Sequence, residues 1–500
     1  MSLAILKSRA QLGVTAPAVT IEVFLSGGLP RFSIVGLPEA AVRESKDRVR
    51  GAISSCNFEF PQRRITVNLG PADMRKTGGR FDLPIALGIL AAQRLLPMHR
   101  FDAFEFYGEL ALNGDIRPVP GVLPAAIKAA EANHPIIVPK DNGAEASLVP
   151  GKVHVANSLL EVTAFLKGTR DLETVEPMSE SSAVIHGPDL AEVKGQHLAK
   201  RALEVAAAGR HNILFSGPPG TGKSMLAQRL PGILPPMSDA EAIETAAVDS
   251  VLGRSFDMAR WRQRPFRSPH HTASGVALVG GCSDPRPGEI SRAHNGVLFL
   301  DELPEFSRHV LEVLREPMES GWITISRAGR QADFPARFQL VAAMNPCPCG
   351  YLGDPAGDCN CSAERVGNYR GRISGPLLDR FDIHIQVQRP PIKSLRPHAE
   401  AEESSVEVGE RVSKARTIQL TRAGVCNAEL GGGDLKKAFC AEEESWRLLD
   451  KAADKLAMSA RAYQRVQRVA RTIADLAAEG TVRKPHMAEA LALRQFSRHF

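Results

Sequence analysis

The residues from Gly217 to Ser224 form a pattern that can bind the phosphates of a nucleotide. They match the P-loop pattern at every position that it defines, and they read Gly217, Pro218, Pro219, Gly220, Thr221, Gly222, Lys223 and Ser224. An apolar run over 212–216 precedes them and a helical pattern over 225–230 follows, a context that a chance glycine-rich turn would lack. Glycines let backbone N–H groups approach phosphates, and a helix N-terminus adds a favourable dipole. We predict that Lys223 binds the β- and γ-phosphates of ATP and that the Ser224 hydroxyl binds Mg²⁺.

Two carboxylates follow another apolar run and would complete this site. Residues 296–300 have the pattern of a buried strand, and Asp301 and Glu302 come directly after it. Any strand leaving a core could end in Asp-Glu, but beside a P-loop the pattern is typical of a Walker B segment. We predict that Asp301 belongs to the magnesium shell and that Glu302 orients and deprotonates the attacking water.

A third apolar run, 338–344, ends at Asn345. An amide at this place could position the catalytic water between the other two strands. The alternative is a turn-forming Asn before Pro346, which is common. We favour the catalytic interpretation.

Four cysteines lie within 15 residues, directly after Asn345: Cys347, Cys349, Cys359 and Cys361. Four thiolates could form a tetrahedral zinc site, although the C-x-C spacing is tighter than the usual C-x-x-C. The alternative is four reduced cysteines that pack as small apolar side chains. Because the loop between them is rich in Gly, Asp and Pro and offers little core, we favour structural Zn²⁺.

Three regions of the chain must position these residues. Residues 1–166 alternate β-rich runs with alanine-rich helical stretches, and the polar segment 167–183 is typical of a linker. Residues 184–391 repeat a strand–loop–helix pattern and contain the P-loop, and residues 392–500 are helical. We predict an α/β fold: an N-terminal α/β domain, a P-loop core and a C-terminal helical lid.

Composition narrows the classes of protein further. The formal charge of +6, from 62 Lys+Arg against 56 Asp+Glu, is too small to prove a polyanionic partner. The longest apolar stretch, 83–92, is shorter than the roughly 20 residues of a membrane span, and the first residues lack a signal-peptide pattern. Eight cysteines, four of them clustered, indicate a metal site rather than a disulfide framework. We therefore predict a cytoplasmic protein without a membrane partner.

The order of the motifs resembles that of an AAA+ ATPase. After the P-loop, the Walker B segment and the strand-end Asn comes the segment 377–382 (Leu-Leu-Asp-Arg-Phe-Asp). Its Arg380 resembles the arginine finger that this family inserts into a neighbouring subunit's site to stabilise the transition state, with Arg337 as a second candidate. Arg461, near the start of a helical segment, resembles the sensor-2 arginine of the lid. A lone Arg at either place is usually a solvated surface residue.

A closer resemblance is to the magnesium-chelatase-like group of AAA+ proteins, and within it to the bacterial ComM/YifB family. The residues that carry it are 267–272 (Arg-Ser-Pro-His-His-Thr), 277–281 (Ala-Leu-Val-Gly-Gly), 287–291 (Pro-Gly-Glu-Ile-Ser) and 293–306, and it extends essentially from end to end. The resemblance implies a homo-hexameric ring with an insert near residues 262–290 and a hairpin before the Asn345 strand. It also implies that family's assigned activity, an ATP-driven DNA helicase for branch migration in homologous recombination and natural transformation. The implied partners are single-stranded or branched DNA, bound without sequence preference, and a recombinase or other recombination proteins.

The first region resembles the proteolytic domain of Lon proteases at residues 117–122 and 136–142. Lon proteases use a Ser/Lys dyad, and their Ser segment matches residues 78–84. No Ser occurs between Ser55 and Ser147, and the matching Lys position holds Leu123. Without a hydroxyl nucleophile no acyl-enzyme can form, so we predict a non-proteolytic domain used for assembly or substrate contact.

Two arginines could contact DNA from a predicted hairpin. The β-rich runs 322–326 and 331–334 flank Arg327 and Arg330, which places both arginines at the tip. In a ring, such tips would line the pore and follow phosphates without reading sequence. The alternative is an exposed turn whose charges serve solubility. The family resemblance favours DNA binding.

Two smaller groups of basic residues are ambiguous. Arg461, Arg465 and Arg468 share one helical face, which either contacts nucleotide or DNA or is simply solvated. His270 and His271 have no further metal ligands at sensible spacing, so we predict that they are pore-loop or interface residues.

Three alternatives compete with a DNA translocase. A chelatase ATPase subunit would remodel a partner that inserts magnesium into a porphyrin, and we expect neither the Lon-like region nor the cysteine cluster in such a protein. An ATP-dependent protease is disfavoured by the missing Ser and Lys. A regulatory ATPase that remodels a protein partner stays open, because pore loops that grip peptide and DNA look alike in sequence.

Overall fold

The structure of the protein is a computed structural model that describes residues 2–176, 187–281, 285–327, 330–355, 357–389 and 402–494. Within these ranges, no helix combines the length and the apolar character that crossing a bilayer requires.

Residues 2–176 contain ten short strands: β1 (Ser2–Arg9), β2 (Ala18–Ser26), β3 (Arg31–Val35), β4 (Arg64–Gly70), β5 (Glu105–Phe106), β6 (Glu109–Leu110), β7 (Ile116–Arg117), β8 (Ile136–Pro139), β9 (Val153–Ala156) and β10 (Glu173–Val175). Eight of them form one mixed sheet in the order β10-β9-β8-β5-β1-β2-β4-β3. Along β2, Val19, Ile21 and Val23 are buried and their neighbours are not, so one face of the sheet forms a core. The strands predicted over 19–25, 32–35, 65–69 and 136–138 are confirmed.

Five helices accompany this sheet: α1 (Ala40–Ser55), α2 (Asp82–Ala92), α3 (Val122–Glu131), α4 (Gly143–Ala146) and α5 (Leu159–Lys167). The helix α2 is apolar all round, as a fully buried helix must be, and it packs against β1 and β2. A Cβ at Gly88 would lie 2.5 Å from Val23 Cγ2, so this close approach requires glycine. The predicted helices over 84–93 and 124–133 are confirmed within a few residues.

The segment 167–183, which we predicted to be a linker, contains a strand near its start. β10 lies inside 167–183 and pairs antiparallel with β9, with Thr174 opposite His154. The polar segment lacks an apolar pattern of its own, and main-chain hydrogen bonds to β9 hold it in the sheet. Residues 177–183 lie outside the described part of the chain.

The middle region is built on a parallel sheet. Its described strands are β11 (Ile213–Ser216), β12 (Phe266–Arg267), β13 (Gly280–Gly281), β14 (Arg286–Pro287), β15 (Val297–Leu300), β16 (Trp322–Arg327), β17 (Arg330–Pro335), β18 (Gln339–Met344) and β19 (Ile383–Gln386). Five of these form the sheet in the order β12-β15-β18-β11-β19, with every pair parallel. β11, β15 and β18 are buried throughout, as expected of a parallel sheet covered on both faces.

The described helices of the middle region are α6 (His197–Gly209), α7 (Lys223–Ile233), α8 (Asp239–Val251), α9 (Gly275–Val279), α10 (Glu289–Arg292), α11 (Arg308–Val313), α12 (Arg315–Ser320), α13 (Ala363–Arg370) and α14 (Gly375–Leu378). A capping box at Ser238 begins α8, where the side chains of Ser238 and Glu241 each accept a hydrogen bond from the other's backbone N–H. α8 also contacts α3 of the first region. The Gly121 N–H donates to the Ser250 carbonyl over 2.8 Å, and the Leu123 N–H donates to Ser250 Oγ over 3.2 Å. The first region therefore rests on the middle region through α8.

The last region is helical, as predicted, with α15 (Ser405–Ala423), α16 (Gly432–Ala438), α17 (Glu443–Leu456), α18 (Ala460–Leu476) and α19 (Lys484–Ala492). α15 packs on α6 and α7, the helix that follows the P-loop. Its Val408 and Val412 share one apolar core with Ile213 of β11 and Leu226 of α7. This shared core ties the C-terminal helices directly to the P-loop strand.

Asp382 links the parallel sheet to α18 by charge. Its buried carboxylate accepts hydrogen bonds from the Asn212 N–H at 3.0 Å and from Arg465 Nη1 at 2.5 Å, and it lies 3.7 Å from His211 Nδ1. Burial alone would raise the pKa of Asp382, but the charge of Arg465, the nearby ring of His211 and the hydrogen bond from the Asn212 N–H outweigh it, so the pKa lies below its ordinary range.

We expect Asp382→Asn to destabilise the protein by about 3–5 kcal/mol, because it leaves the guanidinium of Arg465 buried without its counter-charge. A carboxyl whose pKa is depressed on folding stabilises the fold above its unfolded pKa of about 3.9, and this stabilisation is lost as pH falls below that value. Thermal unfolding at pH 7 and near pH 3 measures both effects. The difference between wild type and variant should shrink in acid.

The matched control is Asp434→Asn, which removes a carboxylate that is 68% exposed. It should unfold with the wild type at both pH values. If Asp382→Asn also unfolds with the wild type, the buried charge does not stabilise the contact between the parallel sheet and α18.

Candidate nucleotide-binding site

The P-loop follows β11 and leads into α7. A Cβ at Gly217 would lie 2.2 Å from the Val387 carbonyl oxygen, so the loop can pass this backbone only with glycine. Gly220 and Gly222 have φ values of +74° and +88°, the left-handed region that favours glycine, and a Cβ at either would meet no protein atom within 4 Å. The first N–H groups of α7, which begins at Lys223, have no acceptor within the helix. Open space beside unsatisfied N–H groups fits the phosphates of a nucleotide.

The side chain of Lys223 folds back onto this loop, and the residue is only 8% exposed. Its Nζ donates to the carbonyl oxygens of Gly217 at 2.7 Å and Pro218 at 2.9 Å, and to Asn345 Oδ1 at 3.1 Å. Burial lowers the pKa of Lys223, and the charges of Asp301 and Glu302 oppose that shift. The predicted phosphate ligand and the predicted water-positioning amide are therefore in direct contact.

Ser224 and Asp301 form the place where Mg²⁺ could bind. The Ser224 hydroxyl donates to Asp301 Oδ2 over 2.5 Å, although the two residues are 77 positions apart in the chain. A hydroxyl and a carboxylate are hard oxygen ligands, which is the donor set that Mg²⁺ prefers beside phosphates. The residues present thus fit the metal.

Glu302 has a left-handed backbone with φ 53°, which a non-glycine residue rarely adopts. Its side chain is about half exposed, and its Oε2 lies 3.0 Å from His271 Nδ1. The rings of His271 and His270 lie 4.2 Å apart. The imidazole of His271 thus holds the side chain that we predict to activate water.

Sequence reasoning missed this contact, because it assigned the two histidines to a pore loop or an interface. The available signal was their position just after Phe266–Arg267. That segment forms β12, which pairs in parallel with β15, so the segments that follow the two strands begin at the same edge of the sheet.

Among the described residues, no hydrogen bond or ion pair joins Arg380 to the P-loop of its own chain, and Arg461 is exposed. Arg380 is nearly buried, and within the described residues its side chain donates to the Pro376 carbonyl at 2.7 Å and to Glu319. Burial and the nearby charges of Arg315, Arg461 and Arg465 lower the pKa of Arg380. Arg461 is exposed at the start of α18. The second candidate for a trans-acting arginine, Arg337, is also exposed.

Two arginines predicted to lie on a shared helical face with Arg461 point into the protein instead. Arg465 binds Asp382, as described above, and Arg468 Nη2 donates to the Leu430 carbonyl at 2.7 Å. The sequence left open whether this face meets nucleotide or DNA or is solvated, and the structure shows both side chains partly buried against their own chain. The helical period located the face correctly but could not show that it packs against other parts of the same chain.

The four clustered cysteines come together as the sequence predicts. Their Sγ atoms all lie within 4.8 Å of one another. The separations are 3.2 Å between Cys347 and Cys349, 3.7 Å between Cys347 and Cys359, and 3.6 Å between Cys349 and Cys359. Four sulfurs placed tetrahedrally at 2.3 Å from a zinc ion would be about 3.8 Å apart. With Cys361, the four residues could hold one metal ion.

The hairpin before the Asn345 strand is confirmed. β16 and β17 pair antiparallel from Trp322–Pro335 to Arg327–Arg330. Arg327 is exposed. Residues 328–329 and the side chain of Arg330 lie outside the described part of the chain.

A parallel sheet with a P-loop after β11, paired carboxylates after β15 and an amide after β18 defines an AAA+ nucleotide-binding domain. Three family models match the chain. They are described as magnesium chelatase, subunit ChlI, over residues 189–395; subunit ChlI of Mg-chelatase, over 21–142; and magnesium chelatase, subunit ChlI C-terminal, over 402–494.

Full-length relatives identify the family more narrowly. The chain is 52% identical to competence protein ComM of Haemophilus influenzae, covering 100% of this chain and 98% of the relative. It is 47% identical to protein YifB of Escherichia coli strain K12, again covering 100% and 98%. The chain belongs to the ComM/YifB family of magnesium-chelatase-like AAA+ proteins.

Chelatase subunits are more distant. The chloroplastic magnesium-chelatase subunit ChlI of Nicotiana tabacum is 25% identical over 259 residues, which cover 47% of this chain and 54% of the relative. Because a model with the chelatase name matches residues 21–142, the first region is no argument against a chelatase role, contrary to the expectation from sequence. The argument against a chelatase role that stays is that the chelatase subunit matches only about half of this chain.

We expect Lys223→Ala to weaken binding of MgATP about tenfold to a hundredfold, because a hydrogen bond to a charged group contributes about 1.5–3 kcal/mol. Titration with a fluorescent ATP analogue in the presence of Mg²⁺ measures the change. Lys437→Ala, which removes a lysine that is 85% exposed on α16, should bind as the wild type does. Equal affinity of both variants would contradict the assignment of Lys223.

Proposed function

We propose that the protein is an ATP hydrolase that assembles into a hexameric ring and moves DNA, driving branch migration during homologous recombination and natural transformation. The observation that carries the proposal is a pair of hydrogen bonds, from Lys223 to Asn345 and from Ser224 to Asp301. They occur in a chain that is 52% identical to competence protein ComM. That relative is named a competence protein, and DNA is the substrate that we propose for this chain.

Hydrolysis would use the side chains around the P-loop. Lys223 binds the β- and γ-phosphates, while Ser224 and Asp301 hold the metal. Magnesium, when bound, neutralises phosphate charge and so lowers the barrier to transfer. Glu302 takes a proton from the attacking water, and Asn345 orients that water.

Arg380 supports a role for a second subunit. It lies in a surface depression with Glu312, Arg315, Glu316, Glu319 and Ser320, and its side chain binds Glu319 there. A surface position of this kind is where a neighbouring copy of the chain could receive the guanidinium. We propose that Arg380 acts in trans and that Arg461 acts from the lid, which makes ring formation a condition for full activity.

The DNA contact would be made by the hairpin of β16 and β17. In a ring, Arg327 and Arg330 would face the pore, where guanidinium groups can follow phosphates of single-stranded or branched DNA regardless of sequence. A recombinase or another recombination protein would act on the same DNA. Residues 1–166, 184–391 and 392–500 would be the non-proteolytic Lon-like domain, the ATPase core and the lid.

The remaining parts of the proposal concern the cysteines and the compartment. The four sulfurs have the spacing of a structural zinc site, and we propose that Zn²⁺ joins ATP and Mg²⁺ as a bound cofactor. Free thiols persist in a reducing compartment, so we place the protein in the cytoplasm.

We expect Glu302→Gln to abolish ATP hydrolysis while leaving MgATP binding nearly unchanged, because the amide keeps the size of the side chain but cannot accept the proton. General-base catalysis contributes about 100- to 10,000-fold, so the rate should fall by at least about a hundredfold. Phosphate release measures turnover, and analogue titration measures binding. Retained turnover would remove Glu302 from the mechanism.

We expect single-stranded DNA or a four-way junction to stimulate hydrolysis, and ATP to drive junctions into duplex products. Charge removal at the hairpin, Arg327→Ala with Arg330→Ala, should reduce both effects at least about tenfold while leaving DNA-independent turnover intact. The matched control is Arg447→Ala on α17, an arginine that is 71% exposed. If ATP turns over but no DNA stimulates it or is moved, a protein partner becomes the better substrate.

A further inference from the structure

The cysteine cluster lies against the nucleotide site, so that the two sites share backbone contacts. Cys347 follows Asn345 after a single residue and is fully buried. The Gly350 N–H donates to the Cys347 carbonyl over 3.0 Å, which folds the first C-x-C pair into a turn. We define residues 346–361 as the cysteine loop.

The turn of this loop touches both the P-loop and Asn345. Gly350 has φ +87°, and a Cβ there would lie 2.7 Å from Pro219 Cδ and 3.8 Å from Asn345 Cγ. The backbone of the cysteine loop therefore packs directly on the P-loop proline. The ring of Pro219 is rigid and cannot move aside easily. The position of the cysteine loop at Gly350 therefore fixes the position of the P-loop at Pro219.

The far end of the cysteine loop closes back on its start. Ser362, the residue after Cys361, caps the N-terminus of α13. From that helix, Arg370 Nε and Nη2 donate to the Pro346 carbonyl at 3.1 and 2.9 Å. Tyr369 on the same helix is buried and lies near the Asn345 backbone. Both ends of the loop thus hold the residue that touches Lys223.

The interior of the cysteine loop has little apolar packing. Among its described residues from 348 to 361, none belongs to an apolar core cluster, and Gly350 is the only buried one. A polar segment of this kind needs cross-links to hold one shape. The ion pair of Asp354 with Arg389 at 3.1 Å is one, and a metal bound by four thiolates would supply another.

We propose that a zinc ion bound by the four cysteines braces the nucleotide site, holding Asn345 and Pro219 in place, so that metal occupancy controls affinity for ATP. This inference rests on the nucleotide and zinc sites of the proposed function and adds the coupling between them. Loss of the metal frees Gly350 from Pro219 and loosens the amide that contacts Lys223. DNA has no part in this coupling.

The test measures zinc content and nucleotide affinity separately, without DNA. Wild-type protein should contain one zinc per chain. Cys359→Ser should lose the metal and bind the ATP analogue at least about tenfold more weakly, whereas Cys359→His, which keeps a zinc ligand, should retain most of both. Cys440→Ser, at an exposed cysteine of the C-terminal region, should change neither.

Gly350→Ala separates the brace from the metal. A Cβ at this position collides with Pro219 and strains a left-handed backbone, but it removes none of the four thiols, so zinc should stay bound while nucleotide affinity falls. Chelation of zinc from the wild type, followed by readdition, should lower and restore affinity with unchanged far-ultraviolet circular dichroism.

Each failure has a distinct meaning. Wild-type protein without zinc would overturn the metal site. Unchanged nucleotide affinity in folded protein that has lost zinc, or in Gly350→Ala, would overturn the coupling. Wild-type protein that holds zinc but binds no ATP would overturn the proposed function instead.

Discussion

The parallel register of three strands is the constraint on which the nucleotide site depends. Ser216 of β11 lies opposite Met344 of β18, and Leu300 of β15 lies opposite Ala342. The chain therefore leaves all three strands at one edge of the sheet, within two residues of the same level. A phosphate-binding loop, two carboxylates and an amide meet there, although they lie far apart along the chain. Ligands bind outside the carboxyl ends of strands in open α/β sheets for this reason.

The C-terminal helices pack on the same sheet at two places. The apolar contact of α15 with α7 joins the lid to the helix after the P-loop, and the charged contact of Arg465 with Asp382 joins it to the opposite, amino end of β19. A movement of the lid would therefore be felt at the P-loop strand and at the segment that carries Arg380. Arg380 and Arg465 are themselves in contact, since Arg465 Nη1 lies 3.3 Å from the Arg380 carbonyl oxygen. This arrangement couples the position of the lid to the face that we propose to meet a neighbouring subunit.

Packing occupies the two places in the first region where we predicted a match to the Lon dyad. Leu123, at the predicted lysine position, is fully buried, and its N–H donates to Ser250 of α8. Arg80, in the predicted serine segment, is buried and donates to Gln11 Oε1 at 2.9 Å and to the Pro120 carbonyl. Burial lowers the pKa of Arg80 to about 10, which leaves it charged at neutral pH. An immobilised cation in this place holds loops together and cannot serve as a nucleophile.

Features whose chemistry lies in contiguous residues could be predicted from the sequence. The P-loop, the Asp301–Glu302 pair, the hairpin strands and the clustered cysteines are each local patterns, because glycine conformation, strand alternation and ligand spacing act over a few residues. The contacts between these patterns were visible only in the folded chain. The contact of Lys223 with Asn345 spans 122 positions, and His271 meets Glu302 because β12 pairs with β15. The inward turn of Arg465 and the packing of Gly350 on Pro219 likewise depend on the order of strands in the sheet. Strand order is set by the burial of entire elements, and a local pattern does not encode it.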